Sequence, residues 1–349
     1  MRNDILEMLI RRSRGQEPPA PAGATAFAPY GINCNGGGTA RYYHFLENGA
    51  LWHASSDTAG SATRLGDKAD FVSITHSASG TGVTASGCYA LDAAGACWLV
   101  SGTSAPVEAI SSGVTAVAGC RCVLTNASSV TLTTAAIAIC SDGLYRLSGT
   151  TATQISDRTD FVAVSGQLHQ YNAANRDEAL ALDSSGVVWR VPWSGTPTRA
   201  YAEETGLLFS GISGLWRANS SASLVGELYA LVPSGSSGWS APVGHHASSG
   251  GRGLAISASG ELMATTGTHT WEAIDANGTW TCIWGCLTGS GTGAWGVRDG
   301  VLCSISGTSS PTVTATAQTG VSSCGWNGRH VNAAGYVCNA AGERLTNAS

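Results

Sequence analysis

Five histidines share one phase of a repeated pattern. His76, His169, His245, His246 and His330 each fall at or just after the end of a short apolar stretch that closes in small residues. Imidazole is a common metal ligand and proton carrier, so these are the first positions to weigh for chemistry. Their spacing argues against a shared ion. The copies lie far apart in sequence, and the one adjacent pair, His245 and His246, points to opposite sides of a strand. Cys34, Cys120, Cys286 and Cys324 stand in about the same phase and read as small packing residues. The spacings Cys120-Arg-Cys122 and Cys282 to Cys286 do not suit zinc, and the chain has no CxxC pair. We expect no metal and no cofactor.

The acidic residues are equally regular. Glu47, Asp92, Asp142, Asp183 and Asp299 lie within three positions of a glycine that marks a turn. Aspartate stabilises such turns by bonding its side chain to nearby backbone amides. No Ser/His/Asp set and no carboxylate pair can be assembled, and Gly289-Ser-Gly-Thr-Gly293 lacks the lysine of a phosphate loop. We therefore expect no catalytic residue and a protein that is not an enzyme; a lyase or glycosidase with its site in a central channel is the alternative. The tryptophans divide into two groups. Trp52, Trp98 and Trp189 repeat in register and read as wedges between sheets, with Arg146 interrupting their column. Trp193, Trp216 and Trp271 fall outside it. Aromatics of that kind stack on sugar rings and anchor protein interfaces. With His245 and His246 they are the candidate ligand- or receptor-binding residues.

The elements that carry these residues are hairpins. Glu178 to Arg190, EALALDSSGVVWR, alternates apolar and small residues, turns at Asp-Ser-Ser-Gly, and runs into a second strand. Variants recur with turn glycines at 49, 95, 143, 186, 226, 260, 300 and 342, spaced 34 to 48 residues apart. Between them lie strands that end in small residues, such as FVSITHS (71–77), FVAVSG (161–166), WSAPVGHH (239–246) and WTCIWGC (280–286). Four short strands per 40 to 50 residues is the period of a β-propeller blade. The expected fold is an all-β propeller of about eight, alternatively seven, four-stranded blades over residues 25–349. Its ring is closed by N- and C-terminal strands, with 25–36 supplying an inner strand to the last unit; closure removes open sheet edges.

Residues 1–24 form a separate segment. Residues 1–12 read as a short amphipathic helix whose apolar side carries Ile5, Leu6, Met8, Leu9 and Ile10. A helix this short needs a docking surface, so these five are the candidate partner-attachment residues. A Pro-rich linker follows, with Pro18, Pro19 and Pro21.

Composition narrows the partners. Charged residues are 12% of the chain, hydrophobic ones 43%, the net charge is −5, and Lys68 is the one lysine. Nucleic acid binding needs clustered positive charge, which is missing. No stretch approaches ~18 apolar residues, so no membrane span is expected, and the N-terminus does not read as a secretory signal.

The Leu-Asp-x-x-Gly-x-x-Trp hairpins at 91–98 and 182–189, with the FVAVSG type of strand before them, resemble the propellers of the regulator-of-chromosome-condensation family. The likeness spans roughly 25–349 as a general pattern. The Gly-Gly-x-x-His and Trp-Gly-x-Asn segments of that family's blades are largely missing here. Propellers of this type serve as exchange factors, inhibitors, lectin-like modules and virion proteins. A Lys-poor, Gly/Ser/Thr-rich chain without a secretion signal, headed by an attachment helix, suits a bacteriophage tail or fibre component. The expectation is a virion protein, made in the host cytoplasm, that attaches through its N-terminal helix to other virion or host-surface proteins and presents a propeller to a receptor or glycan. A soluble interaction module or inhibitor is the alternative.

Overall fold

The structure is a computed structural model, and it describes residues 26–29, 43–54, 56–75, 87–120, 123–126, 129–131, 135–165, 178–192, 195–200, 209–214, 229–233, 252–266, 270–285, 287 and 292–347. The fold is an all-β propeller. Its strands pair antiparallel, almost all with their sequence neighbours, as short hairpin turns require; the exception is Val114–Cys120, which pairs with Ala135–Cys140 past a two-stranded hairpin of Val123–Asn126 and Ser129–Thr131.

Blade 1 comprises Ala26–Pro29, Tyr43–Glu47, Ala50–Ala54 and Thr63–Arg64. Blade 2 comprises Phe71–Ile74, Gly87–Asp92, Cys97–Ser101 and Val107–Ile110. Blade 3 is Val114–Cys120, Ala135–Cys140, Gly143–Ser148 and Thr151–Ser156, and blade 4 is Phe161–Ser165, Glu178–Asp183, Val188–Pro192 and Thr198–Arg199. A two-stranded pair, Phe209–Gly214 with Tyr229–Pro233, follows. Blade 5 shows Leu254–Ile256, Leu262–Thr265 and Trp271–Asp275. Blade 6 is Trp280–Gly285, Thr292–Arg298, Val301–Ser306 and Thr312–Thr319, and blade 7 is Ser323–Cys324, His330–Val331 and Val337–Cys338. Among the described residues there are thus seven sheets of three or four strands, and the unit around Gly226 contributes the two-stranded pair.

Burial falls from the middle of each blade to its outer strand. The second strand of blade 2 is buried at every position, whereas the outer strand of blade 3 is exposed over Thr151–Gln154. A strand covered on both faces loses the apolar/polar alternation of a half-exposed sheet. Cys88 and Ala90 face blade 1, where Leu46, Leu51 and Leu65 meet Phe71 and Val100. Tyr89 and Leu91 face blade 3, packing with Ala136, Ala138 and Leu147. Ile137, Ile139 and Leu144 then meet Phe161, Ala179 and Val191 of blade 4. Trp98 and Trp189 sit in the first and third of these seams, as their register predicts.

The two ends of the ring meet in a seam between blades 7 and 1. Phe45, Ala54 and Ala62 pack against Val331, Val337 and Leu345. The amides of Gly60 and Ala62 donate to the carbonyls of Arg344 and Leu345, each at 3.1 Å. The closing strands differ from those expected: Ala26–Pro29 pairs with Tyr43–Glu47 inside blade 1, and blade 7 has its own inner strand at Ser323–Cys324.

Two register marks also shift. Tyr229–Pro233 pairs directly with Phe209–Gly214, so it stands as the second strand of its unit and not the third, as Gly226 implied. In blade 7 the hairpin joining His330–Val331 to Val337–Cys338 turns at Gly335. Gly342 marks the next turn, where Arg344 bridges to Cys338. Both errors arise because turn sequences of one type recur within a blade as well as between blades. The segment 1–24, with Ile5, Leu6, Met8, Leu9 and Ile10, lies outside the described residues.

Candidate functional site

The most regular cluster of ionisable and aromatic side chains is built on the hairpins. Asp183 ends the second strand of blade 4. Its Oδ1 accepts from the amides of Ser185 and Val187, each at 3.0 Å, and closes the turn. Its Oδ2 accepts from Trp189 Nε1 at 2.8 Å and from the Arg158 guanidinium at 3.1 Å. Arg158 in turn lies 4.1 Å above the Trp189 ring, a cation–π contact. Phe161 meets the same indole edge-on, with centroids 6.2 Å apart.

Blade 2 repeats the unit. Asp92 accepts from the amides of Ala94 and Ala96 and from Trp98 Nε1, and Lys68 bonds it at 2.9 Å while lying 4.8 Å over Trp98. In both blades the aspartate pairs across the sheet with the phenylalanine that opens the inner strand, Phe71 with Asp92 and Phe161 with Asp183. Blade 6 keeps the parts and exchanges the charges. There Trp280 pairs with Arg298, and Asp275 from the preceding blade accepts from Arg298 Nη1 at 2.7 Å and from Trp280 Nε1 at 3.2 Å.

These carboxylates are held ionised. Burial alone pushes Asp183 up, but bonds from Ser185, Trp189 and Val187 outweigh it and leave the carboxyl below its ordinary value. Asp92 and Asp275 shift the same way: burial is opposed in the first by Lys68, Ala96 and Trp98, and in the second by Asn277 and Arg298. A carboxylate saturated by its own turn and a fixed cation has no proton to give at neutral pH. The cluster is a joint between strands. The sequence singles out the aspartates and tryptophans; the cations were missed. Their signal is Lys or Arg three residues before the phenylalanine, in Lys68-Ala-Asp-Phe71 and Arg158-Thr-Asp-Phe161.

A Cys–His contact also escapes sequence reading, because its members are 44 residues apart. His44 Nε2 donates to the Gly102 carbonyl at 2.8 Å, so Nδ1 is left to accept from the Cys88 thiol at 3.3 Å. Burial first, opposed by the Gly102 bond and aided by nearby His53, pushes His44 down to about 3. Burial pushes the Cys88 thiol up. A nucleophilic dyad needs the opposite shifts, thiolate beside imidazolium. This pair is neutral and structural. His330 is likewise buried, with Nδ1 donating to Gly328 at 3.1 Å, and burial lowers its pKa.

Of the five binding candidates, Trp193, Trp216, His245 and His246 lie outside the described residues. Trp271 is described. It opens the outer strand of blade 5, opposite Thr265, and is half-buried. Polar groups are linked to one another along the same blade edge. Glu272 is exposed and paired with Arg252, Arg252 also donates to the Thr308 carbonyl of blade 6 at 3.0 Å, and the Thr266 hydroxyl bonds that of Thr270 at 2.9 Å. A half-buried indole on an outer strand can stack on an apolar ring face, while the side chains of Thr270 and Glu272, its neighbours in sequence, leave the opposite face of the strand. Among the described residues no group of three or more His, Cys, Asp or Glu is arranged to hold a metal ion, and no helix is long and apolar enough to cross a membrane.

No protein-family model matches the chain, and no curated protein does. Solved structures similar to it include YCF48 bound to a D1 peptide, at 11% identity, covering 85% of this chain and 83% of that one, with a TM-score of 0.43. A second is BBS1N in complex with ARL6DN, at 11% identity, covering 89% and 88%, with a TM-score of 0.46. A third is the WD40 domain of SCAP from fission yeast, at 11% identity, covering 75% and 61%, with a TM-score of 0.38. Likeness at this level says nothing about what this chain binds.

Proposed function

We propose that the chain is a non-enzymatic binding propeller, a ring that presents an edge to a partner. The observation that carries this reading is where the reactive side chains go. Asp92, Asp183 and Asp275 are saturated within their seams, and His44 and Cys88 form a neutral buried pair. Trp271, half-buried on the outer strand of blade 5, has an aromatic face that can stack on a sugar ring or an apolar protein side chain.

Within that class the composition supports a virion component, a phage tail or fibre protein attached through Ile5, Leu6, Met8, Leu9 and Ile10 and presenting the propeller to a host-surface receptor or glycan. Low charge and a Gly/Ser/Thr-rich sequence suit a surface outside the cell. The test is mass spectrometry of purified particles assembled with either the full chain or a chain beginning at residue 25. The expected result is incorporation of the first and exclusion of the second. Incorporation of both, or of neither, would overturn virion attachment; a stable soluble complex with one protein would then favour the interaction-module reading.

A further inference from the structure

Cysteines on adjoining inner strands meet near the end of the ring. Cys282 lies in the inner strand of blade 6 and Cys324 in the inner strand of blade 7, 42 residues further on. Their sulfurs are 3.6 Å apart. The Cys324 amide points its hydrogen at Cys282 Sγ at 3.4 Å, and the Ser323 hydroxyl lies 3.7 Å from the same sulfur. Trp284, Val297, Leu302 and Val321 pack around the pair, Cys324 is buried, and Cys282 is half-buried. The other described thiols show no such approach to a second sulfur; Cys303 and Cys338, for example, bond to backbone carbonyls.

We propose that Cys282 and Cys324 are a redox pair that closes to a disulfide between blades 6 and 7 on contact with a low-molecular-weight disulfide. A disulfide bond is about 2.05 Å long and its geometry is demanding, so few thiol pairs in a fold qualify. These two are already close and in the same hydrogen-bonded cluster. The order of events follows from their surroundings. The hydrogen bond from Cys324, set against burial and joined by the Cys324 amide and Ser323, brings Cys282 down to about 7, while burial drives Cys324 well up. Cys282 is also the half-buried member of the pair, within reach of a small disulfide where Cys324 is buried, and it is the attacking thiolate. It displaces one thiolate from the small disulfide and keeps the other half as a mixed disulfide. Cys324 then gives up its proton and attacks Cys282 Sγ, expelling the second small thiolate. Two protein thiols are oxidised, one disulfide is reduced to two thiols, and the two protons leave with them.

The place matters because, among the described residues, blade 7 has three strands of two residues each. A covalent link to the inner strand of blade 6 would fasten it beside the closing seam.

The test incubates the full chain with oxidised glutathione at neutral pH, followed by non-reducing peptide mapping and thermal melting. The expected result is one linked peptide joining Cys282 to Cys324, a rise of several degrees in Tm, and reversal of both by a reductant. In Cys324→Ser the expected product is a glutathione adduct on Cys282, which shows attack without resolution in a chain that need not form the staple. Cys282→Ser should give neither linkage nor adduct at position 324. Finding Cys282 joined to any other cysteine, both thiols unmodified, or glutathione on Cys324 in place of Cys282 would overturn the proposal.

Discussion

Asp183 bonds two backbone amides, a hydroxyl, an indole and a guanidinium. Its removal strands several of these donors at once. Bonds to a charged group contribute about 1.5–3 kcal/mol where a partner is left buried, so Asp183→Ala should cost about 3 kcal/mol in denaturant unfolding. Arg158→Met should cost less, since the guanidinium is about a third exposed and solvent screens the pair. The histidines set an acid sensitivity of their own. His44 is neutral when folded, with a pKa near 3, against about 6.5 when unfolded. Between those values the unfolded chain holds the proton and the folded chain does not, so stability falls as pH drops below about 6.5, at up to about 1.4 kcal/mol per pH unit for this residue. His53 and His330 are lowered too and act with the same sign. The depressed carboxylates add a second loss of stability, absent above about pH 4 and growing as pH falls toward their folded values. A melting series from pH 7.5 to 4 should show the first slope, and His44→Gln should flatten it.

At the scale of the strand and turn, the seams depend on close backbone approach. Gly296 in the second strand of blade 6 lies under the Trp280 ring, where an added Cβ would collide with ring carbons. Gly296→Ala should therefore cost about 1–3 kcal/mol by overpacking, read as a lowered midpoint of unfolding. Elements of this kind were largely legible in the sequence. Asp92 and Asp183 each stand at the start of a turn with a glycine at positive φ, Gly95 and Gly186, and both bond that turn as their positions predict. Asp142, Asp299 and Glu47 look similar in sequence and do different work: Asp142 accepts from Tyr145, Asp299 caps the Thr279 amide of the neighbouring turn, and Glu47 bonds across the closing seam to blade 7. Local spacing carries the turn; it does not carry the partner on the next blade. The same limit explains Lys68 and Arg158, whose aspartates lie 24 and 25 positions away along the chain, and the His44–Cys88 contact. Trp271 falls outside the repeat, and the repeat offers no hint of the contacts that Arg252 makes with Glu272 and the Thr308 carbonyl on the same blade edge.

At the scale of the whole molecule, the last seam closes the ring. Buried Glu47 accepts from Arg344 and Thr346 at 2.7 and 2.8 Å and from the Val337 amide at 2.9 Å, while buried Arg329 pairs with Asp57. These contacts join sequence ends nearly 300 residues apart. Glu47→Ala leaves Arg344 and a buried amide without their acceptor, and breaking a buried pair costs about 3–5 kcal/mol. Its melt should fall more than that of Asp183→Ala, and hydrogen exchange should rise in blades 7 and 1 before the rest. The proposed function divides the labour: seam residues hold the ring, and the blade edge at Trp271 is proposed to bind. A glycan array probed with the wild-type chain, Asp183→Ala and Trp271→Ala, each with its melting curve, separates the two roles. Wild type should bind a defined set of glycans. Trp271→Ala should lose that binding with Tm unchanged, and Asp183→Ala should keep the same set below its lowered Tm. No binding by the wild type, or a changed glycan set in Asp183→Ala with Tm unchanged, would contradict the account.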